Sequence, residues 1–294
     1  LEGAIRTSAV SAYIPCFNNA LTIQATIESI RNQTVLVDEL FVVDDASTDR
    51  SVEIVKDLGV RVIQNAENLG RGFVRALAIT EASHPVVLSC DATNSLAPDF
   101  LENAMRWLDS ENVAAAYGRM RQTDNSTAAM RWRGRHLFKS ETELAVNMDD
   151  SLTTSAVALN RSMILGVGNF DPKLRHSEDI DLGDRLRAAG YYVVFDPALE
   201  IRSLNVNTIP EVLERYWRWY AGKDETVSWI GYLKQMTYSV KVMARQDLRA
   251  GDPLSVPISL ISPHYQFWRS VMRKIVNPAT GTRSKRMTKE TRRS

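Results

Sequence analysis

The chain has 294 residues, of which 44% are hydrophobic and 24% charged, with a formal net charge of +1 and two cysteines. This is the composition of an ordinary globular protein, long enough for one large domain or two fused lobes. It excludes a disulfide framework and a Cys/His metal centre, and Cys16 and Cys90 point to a reducing, cytoplasmic setting.

No apolar run approaches the roughly 20 residues of a membrane span, and Leu1 to Ser8 lacks the apolar stretch of a signal peptide. The net charge hides an asymmetry: Tyr265 to Ser294 carries nine Lys or Arg against the single acid Glu290, so the tail is +8 and the remainder −7. A basic tail beside an acidic body fits peripheral contact with an anionic membrane surface and fits a solvated, disordered end equally well. The body has no basic stripe or binding motif to suggest nucleic acid as a partner.

The first 120 residues alternate short apolar runs with helix-period segments. Ala9 to Ile14 predicts a strand ended by Pro15, and Ile23, Ile27 and Ile30 mark one face of a helix. Leu40 to Val43 is a second strand, ending at Asp44-Asp45. Ser47 and Asp49 are placed to cap the helix carrying Val52, Val55 and Leu58. Val60 to Ile63 is a third strand, and Gly70 and Gly72 open a helix to about Ala82. Val86 to Ser89 is a fourth strand, ending at Cys90-Asp91; a helix after Pro98 and a strand from Val113 to Tyr117 follow. This rhythm predicts a parallel sheet with helices on both faces, and ligands in such sheets bind beyond the carboxyl ends of the strands. Asn18, Asp44, Asp45, Asn68 and Asp91 fall at those ends. Carboxylates there can accept hydrogen bonds from a base N–H or from ribose hydroxyls, and they can hold a divalent cation.

The second half is less regular. Ser126 to Val146 reads as mostly helical, Thr153 to Leu159 and Tyr192 to Phe195 as strands, and Glu211 to Tyr220 as a helix begun by Pro210. Asp252-Pro253 and Ser262-Pro263 read as breaks. Between these elements lies Ser177-Glu178-Asp179-Ile180-Asp181-Leu182, with three carboxylates in four positions where a loop bearing Gly166 and Gly168 enters a helix running to Ala189. Acids packed this closely repel one another unless a cation or a proton donor sits against them. A carboxylate fixed at a helix N-terminus suits a positioned base. Asp181 and Arg185, four apart, can pair on the helix surface. Trp217 and Trp219 leave their helix on different sides, so at least one belongs to the core.

The motifs occur in a telling order: A-Y-I-P-C-F-N-N (12–19), L-F-V-V-D-D-A-S-T-D (40–49), N-L-G-R-G (68–72), V-V-L-S-C-D-A-T (86–93), G-N-F-D (168–171), S-E-D-I-D-L-G-D-R-L-R-A-A-G-Y (177–191) and R-Y-W-R-W (215–219). Taken together they resemble the family-2 glycosyltransferases. The resemblance implies an α/β fold of the GT-A type, a Rossmann-like, mostly parallel sheet flanked by helices, with a helical C-terminal extension. Residues 8–118 would form the nucleotide-sugar-binding half and 119–222 the acceptor and catalytic half; 223–294 would be the extension with its basic tail. Pro15 and Asn18 would border the nucleotide, with Asn68 and Arg75 on the same side. Asp45, or its neighbour Asp44, would hydrogen-bond the base, usually uracil in this family. Asp91 would lead the metal-binding D-x-D element and face the diphosphate with Mg or Mn. Asp179 would be the general base beside Glu178, and Arg218 and Trp219 would close the pocket. The implied reaction is inverting transfer from a nucleoside-diphosphate sugar to a saccharide or lipid-linked saccharide in surface polysaccharide synthesis.

The pattern breaks in three places. The second metal-site acid is replaced by Thr93, followed by Asn94; Ile201 to Asn207 lacks the family's histidine; and Arg215 replaces the Gln of Q-x-x-R-W. A cation would then have Asp91, the diphosphate and water, or Arg71, Arg75 or Arg202 would share the neutralisation of phosphate. Thr93 also keeps open a nucleotide-sugar-binding protein with weak or no transferase activity. A nucleotidyltransferase is disfavoured because no glycine-rich phosphate loop follows the first strand.

Overall fold

The structure is a computed structural model that describes residues 8–140, 142–220 and 227–276. The chain forms two compact units, one from Leu1–Thr123 with Thr142–Asn205, the other from Asp124–Glu141 with Val206–Ser294.

The first unit follows the expected rhythm. In chain order it contains β1 (Val10–Cys16), α1 (Ile23–Arg31), β2 (Glu39–Asp44), α2 (Ser51–Asp57), β3 (Arg61–Gln64), α3 (Arg71–Glu81), β4 (Val86–Cys90), β5 (Asn94–Leu96), α4 (Phe100–Leu108) and β6 (Val113–Gln122). The second unit takes α5 (Ala128–His136), after which β7 (Ala156–Asn160), α6 (Arg161–Gly166), α7 (Glu178–Ala188) and β8 (Tyr192–Ser203) complete the first. The eight strands form one sheet in the order β3-β2-β1-β4-β7-β6-β8-β5. Both faces of its central strands are covered, which is why β1, β2 and β4 read as nearly unbroken apolar runs. One layer packs Ile23, Ile27, Ile30, Phe100 and Leu101 against Val10, Ile14 and Leu88. The opposite layer packs Val74, Ala78, Leu182 and Leu186 against Tyr13, Val43 and Val87.

Four departures from the expected pattern stand out. β7 is antiparallel to both β4 and β6, because no helix crosses the sheet between β6 and β7 within this unit and the chain re-enters at the edge it left. β8 runs on through Asp196-Pro197, with the pairing register slipping between Gly118 and Arg119 of β6. The helix expected over 126–146 is only α5, ended near Lys139, whose φ of 51° is left-handed. Neither Ser47 nor Asp49 is the N-cap of α2; Asp49 instead accepts the Ser51 backbone N–H at 3.0 Å and the Ser51 hydroxyl at 2.5 Å.

The second unit adds α8 (Ile209–Tyr220), α9 (Trp229–Tyr238), a π-helical turn (Ser239–Met243), α10 (Ala244–Arg249), a 3-10 turn (Pro253–Ser255) and α11 (Val256–Val276). Pro263 does not break the chain but lies inside α11. Proline removes the N–H that would bond the carbonyl four residues back, here that of Ser259. That carbonyl accepts the Ser239 hydroxyl at 2.6 Å and the Ser262 hydroxyl at 2.9 Å, so the missing bond is replaced. Trp217 is buried and Trp219 exposed, as their spacing requires. The basic tail after Val276 lies outside the described residues.

Candidate active site

β1, β2 and β4 run parallel, so Cys16, Asp44 and Cys90 finish at one edge of the sheet. β1 lies between β2 and β4, the place where successive connections part to opposite sides and leave a crevice. Cys16 and Cys90 are buried free thiols on neighbouring strands, with burial pushing the Cys16 thiol up to about 11. Pro15 lies next to last in β1. Asn18, at a left-handed φ of 55°, joins the loops beyond β1 and β2. Its Oδ1 accepts the Thr48 N–H at 2.8 Å, and its own N–H donates to Ser47 Oγ at 2.8 Å.

The adjacent acids Asp44 and Asp45 are both buried but differ in what they hold. Asp45 is occupied by the loop before α3, both of its oxygens accepting: Asn65 Nδ2 donates to it at 2.8 Å, Leu69 N at 2.9 Å and Gly70 N at 2.9 Å. Asp44 Oδ2 accepts the Ser47 N–H at 3.0 Å, whereas Asp44 Oδ1 is buried with no hydrogen-bond partner. Asn68 continues the loop scaffold. Its Nδ2 donates to the Asp45 carbonyl at 3.3 Å and its Oδ1 accepts from Arg175. Gly72 allows the loop before α7 to press against α3: a Cβ there would lie 2.2 Å from the Asp171 carbonyl oxygen and 2.4 Å from that of Leu174.

That contact brings the acidic run to β4. Arg75, on α3, is buried and reaches three partners: Asp91 Oδ1 at 2.7 Å, Glu178 Oε1 at 3.2 Å and Ser89 Oγ at 3.0 Å. Burial alone would lower its pKa, but Asp91, Tyr13 and Glu178 outweigh that and raise it, so the guanidinium stays charged. Asp91 is the partly exposed end of this bridge, while Glu178 is buried, with Oε2 lacking a partner. Asp179 follows at the first turn of α7. Desolvation, then the Glu178 charge, raise its pKa above the ordinary aspartate value, against the opposing pull of the Ile180 N–H and Arg75. Sequence reasoning brought Asp91, Glu178 and Asp179 forward but missed Ser89 and Arg175. Ser89 could have been found as the one polar residue in V-V-L-S-C, on the same strand face as Val87.

Arg218 and Trp219 belong to the second unit. Arg218 pairs with Glu214 at 3.5 Å, and the Trp219 ring lies 6.0 Å from that of Phe138. Asp181 and Arg185 pair on α7 at 2.6 Å.

A family model described as "Glycosyl transferase family 2" matches residues 11–166, more than half of the chain. The chain belongs to this family. It is 24% identical over 221 residues to the O-antigen chain rhamnosyltransferase RfbN of Salmonella typhimurium, covering 71% of this chain and 70% of that protein. It is also 29% identical over 140 residues to the putative glycosyltransferase EpsH of Bacillus subtilis, covering 44% of this chain but 40% of that one. To the succinoglycan biosynthesis protein ExoA of Rhizobium meliloti it is 29% identical over 202 residues, 61% of this chain and 58% of that protein. Among solved structures, it superposes on a mannosyltransferase of Pyrobaculum calidifontis in complex with GDP-Man and Mn2+ with a TM-score of 0.56. The identity is 16%, over 97% of this chain and 79% of the other. Staphylococcus aureus TarS in complex with UDP gives a TM-score of 0.54 at 16% identity, over 90% and 88% of the two chains. The fold is thus the expected GT-A type, an eight-stranded mixed sheet flanked by helices and followed by C-terminal helices.

No group of three acids, histidines or cysteines placed to hold a metal exists among the described residues. Asp91 does fit a weaker mode, in which a hard cation rests on one carboxylate, substrate phosphates and water. One of its oxygens pairs with Arg75 and its side chain is partly exposed.

Proposed function

We propose that this chain is an inverting glycosyltransferase that moves a sugar from a nucleoside-diphosphate donor, UDP-linked, to a saccharide or lipid-linked saccharide in surface polysaccharide synthesis. The observation that carries this reading is the Arg75 bridge, which ties the end of β4 to the start of α7 and holds Asp179 beside two fixed charges. Support for the setting comes from the O-antigen and succinoglycan proteins it resembles, and for the donor class from neighbours bound to GDP-Man or UDP.

Asp44 Oδ1 accepts an N–H of the base, since it has no partner while both oxygens of Asp45 are bonded to the loop before α3. Asn18 and Pro15 shape the rim of the nucleotide pocket, and Asp91 faces the diphosphate. Arg75, behind Asp91, positions the acids. Mg or Mn, held by Asp91 together with the donor, supplies charge neutralisation for the departing diphosphate. Asp179 takes the proton of an acceptor hydroxyl as its oxygen bonds to C1 of the sugar, and the C1–O bond to the diphosphate breaks on the opposite face. The configuration at C1 therefore inverts.

Asp179→Asn tests this. Turnover should fall by about 10²- to 10⁴-fold while the donor still produces its thermal shift. The raised pKa means that the base form appears only as pH rises through a value above that of an ordinary aspartate, so the acid limb of kcat/KM is displaced upward. Unchanged turnover in the variant would remove Asp179 from the role. Thr93, in place of the second metal-site acid, favours a second reading, a donor-binding protein with little turnover. A thermal shift with nucleotide sugars but no transfer to any acceptor tried would select it.

A further inference from the structure

α11 is built inside out. Its buried positions are mostly polar, Ser259, Ser262, Gln266 and Ser270 beside Ile258 and Pro263, and they are preceded by buried Ser255 in the adjoining turn. Its outward positions are apolar: Leu260, Ile261, Trp268, Val271, Met272 and Ile275 are all exposed, Trp268 by 54% and Ile275 by 67%. In a water-facing helix the two sets would be exchanged. α9 continues the pattern. It has no buried residue and exposes Trp229, Ile230 and Leu233 by 68%, 69% and 61%. The Trp229 and Tyr232 rings each lie 4.7 Å from Phe267, and Tyr232 Oη is 2.8 Å from His264 Nδ1, so the two helices adjoin. Exposed apolar side chains are thus concentrated on two adjoining helices.

The exposed charge of these helices is basic, with Arg269 paired to Glu214 of α8 at 2.9 Å. Residues 227–276 contain seven Lys or Arg and two acids. Both acids are buried: Asp247 is held by Arg135 and His136 at 2.6 and 2.8 Å, and Asp252 by Arg131 at 2.9 Å. The segment after Val276 adds six more Lys or Arg and one acid. A second copy seated on this face would oppose cation to cation. The chain's own residues 277–294 are basic and polar, and among large apolar side chains they offer Met287 alone. No helix among the described residues is long and apolar enough to cross a membrane. Exposed aromatic and aliphatic side chains flanked by Lys and Arg are the composition of a helix lying in the headgroup layer of an anionic bilayer.

We propose that α9 and α11 form a membrane-docking surface, in which Trp229, Ile230, Leu233, Trp268, Met272 and Ile275 enter the interface of an anionic lipid bilayer and the surrounding Lys and Arg pair with its headgroups. Such docking would hold the chain at the surface where a lipid-linked acceptor resides, but it stands apart from the transferase reading and is tested without donor or acceptor.

The test is flotation with vesicles of phosphatidylcholine alone or mixed with phosphatidylglycerol, on the unmodified chain and on Leu233→Ser/Trp268→Ser/Ile275→Ser. The chain should float with the anionic vesicles only, and the triple variant should lose binding by at least about tenfold. In the unmodified chain, brominated lipids should quench tryptophan emission, and Trp229→Phe/Trp268→Phe should abolish that quenching. No flotation with anionic vesicles would overturn the proposal. So would a triple variant that floats equally well, showing attachment by charge alone, or tryptophans that bound vesicles leave unquenched. A lipid-free dimer that the triple variant converts to a monomer would reassign the face to a second copy.

Discussion

The two units differ in how their polar groups are buried, although the helical unit also buries apolar side chains such as Met130, Trp132, Leu213 and Trp217. In the sheet unit, apolar side chains fill both layers, and Arg75 and Glu178 are taken inside together, bridged to Asp91 and Ser89. In the helical unit, α11 turns serines and a glutamine inward, with Ser259 bonded to Asp247, Trp132 and Ser262, and leaves most of its large apolar residues outside. A fold built to present a polar crevice to a water-soluble ligand needs the first arrangement. The second suits an outer face that meets something other than water.

The largest effect that would sharpen this contrast concerns Arg75. In Arg75→Met the Glu178 carboxylate would remain buried without its counter-charge, at a cost of about 3–5 kcal/mol. Urea denaturation of the variant measures it. Leu233→Ser, on the exposed face of the other unit, should shift the same transition by less than about 0.5 kcal/mol. Equal effects of the two changes would mean that Leu233 is packed like a core residue, and the contrast would fail.

A smaller effect separates Asp44 from Asp45. Asp45→Asn cannot accept three hydrogen bonds from donors as the carboxylate does, so it should loosen the loop before α3 and lower stability by about 1–3 kcal/mol. Asp44→Asn keeps one acceptor for the Ser47 N–H, and its amide can face the base with the wrong polarity. Nucleotide affinity, followed by calorimetry, should then fall about ten- to a hundredfold with the melting transition nearly unchanged. The opposite pattern, affinity lost in Asp45→Asn and stability lost in Asp44→Asn, would exchange their roles.

How these acids divide their work was not legible in the sequence. Asp44-Asp45 can be placed at a strand end from L-F-V-V alone, because the apolar run and its polar terminus are local features. Which of the two acids is bonded on both oxygens depends on a loop 24 and 25 residues away, and nothing in the spacing announces that Leu69 and Gly70 turn their N–H groups toward Asp45. Most strands of the parallel half were readable for the same local reason. β5 was not, since three residues give no period and its pairing with β8 is entirely non-local. α11 was misread at Pro263 because the replacement for the lost backbone bond comes partly from Ser239, on another element. Its reversed polarity was not seen either: a period of 3.6 identifies an apolar face without saying which way that face points.

The smallest effect bears on why α11 has a serine face at all. Ser262 Oγ donates to the Ser259 carbonyl at 2.9 Å, an acceptor that also receives Ser239 at 2.6 Å. Removing that hydroxyl in Ser262→Ala leaves the carbonyl bonded, so stability should change by less than about 1 kcal/mol. Ser262→Leu puts a large side chain where a small one is buried, and overpacking should make it the worse of the two by about 1–3 kcal/mol. That order, read from thermal melts, would show that the inner face requires small side chains that let the helices approach closely. The large apolar residues of α11 would then be excluded from the inside by size, and their place outside would be a property of the packing as well as of the surface they meet. If Ser262→Leu instead proved as stable as Ser262→Ala, the inner face would have room for an ordinary apolar core, and the contrast between the two units would rest on the outer face alone.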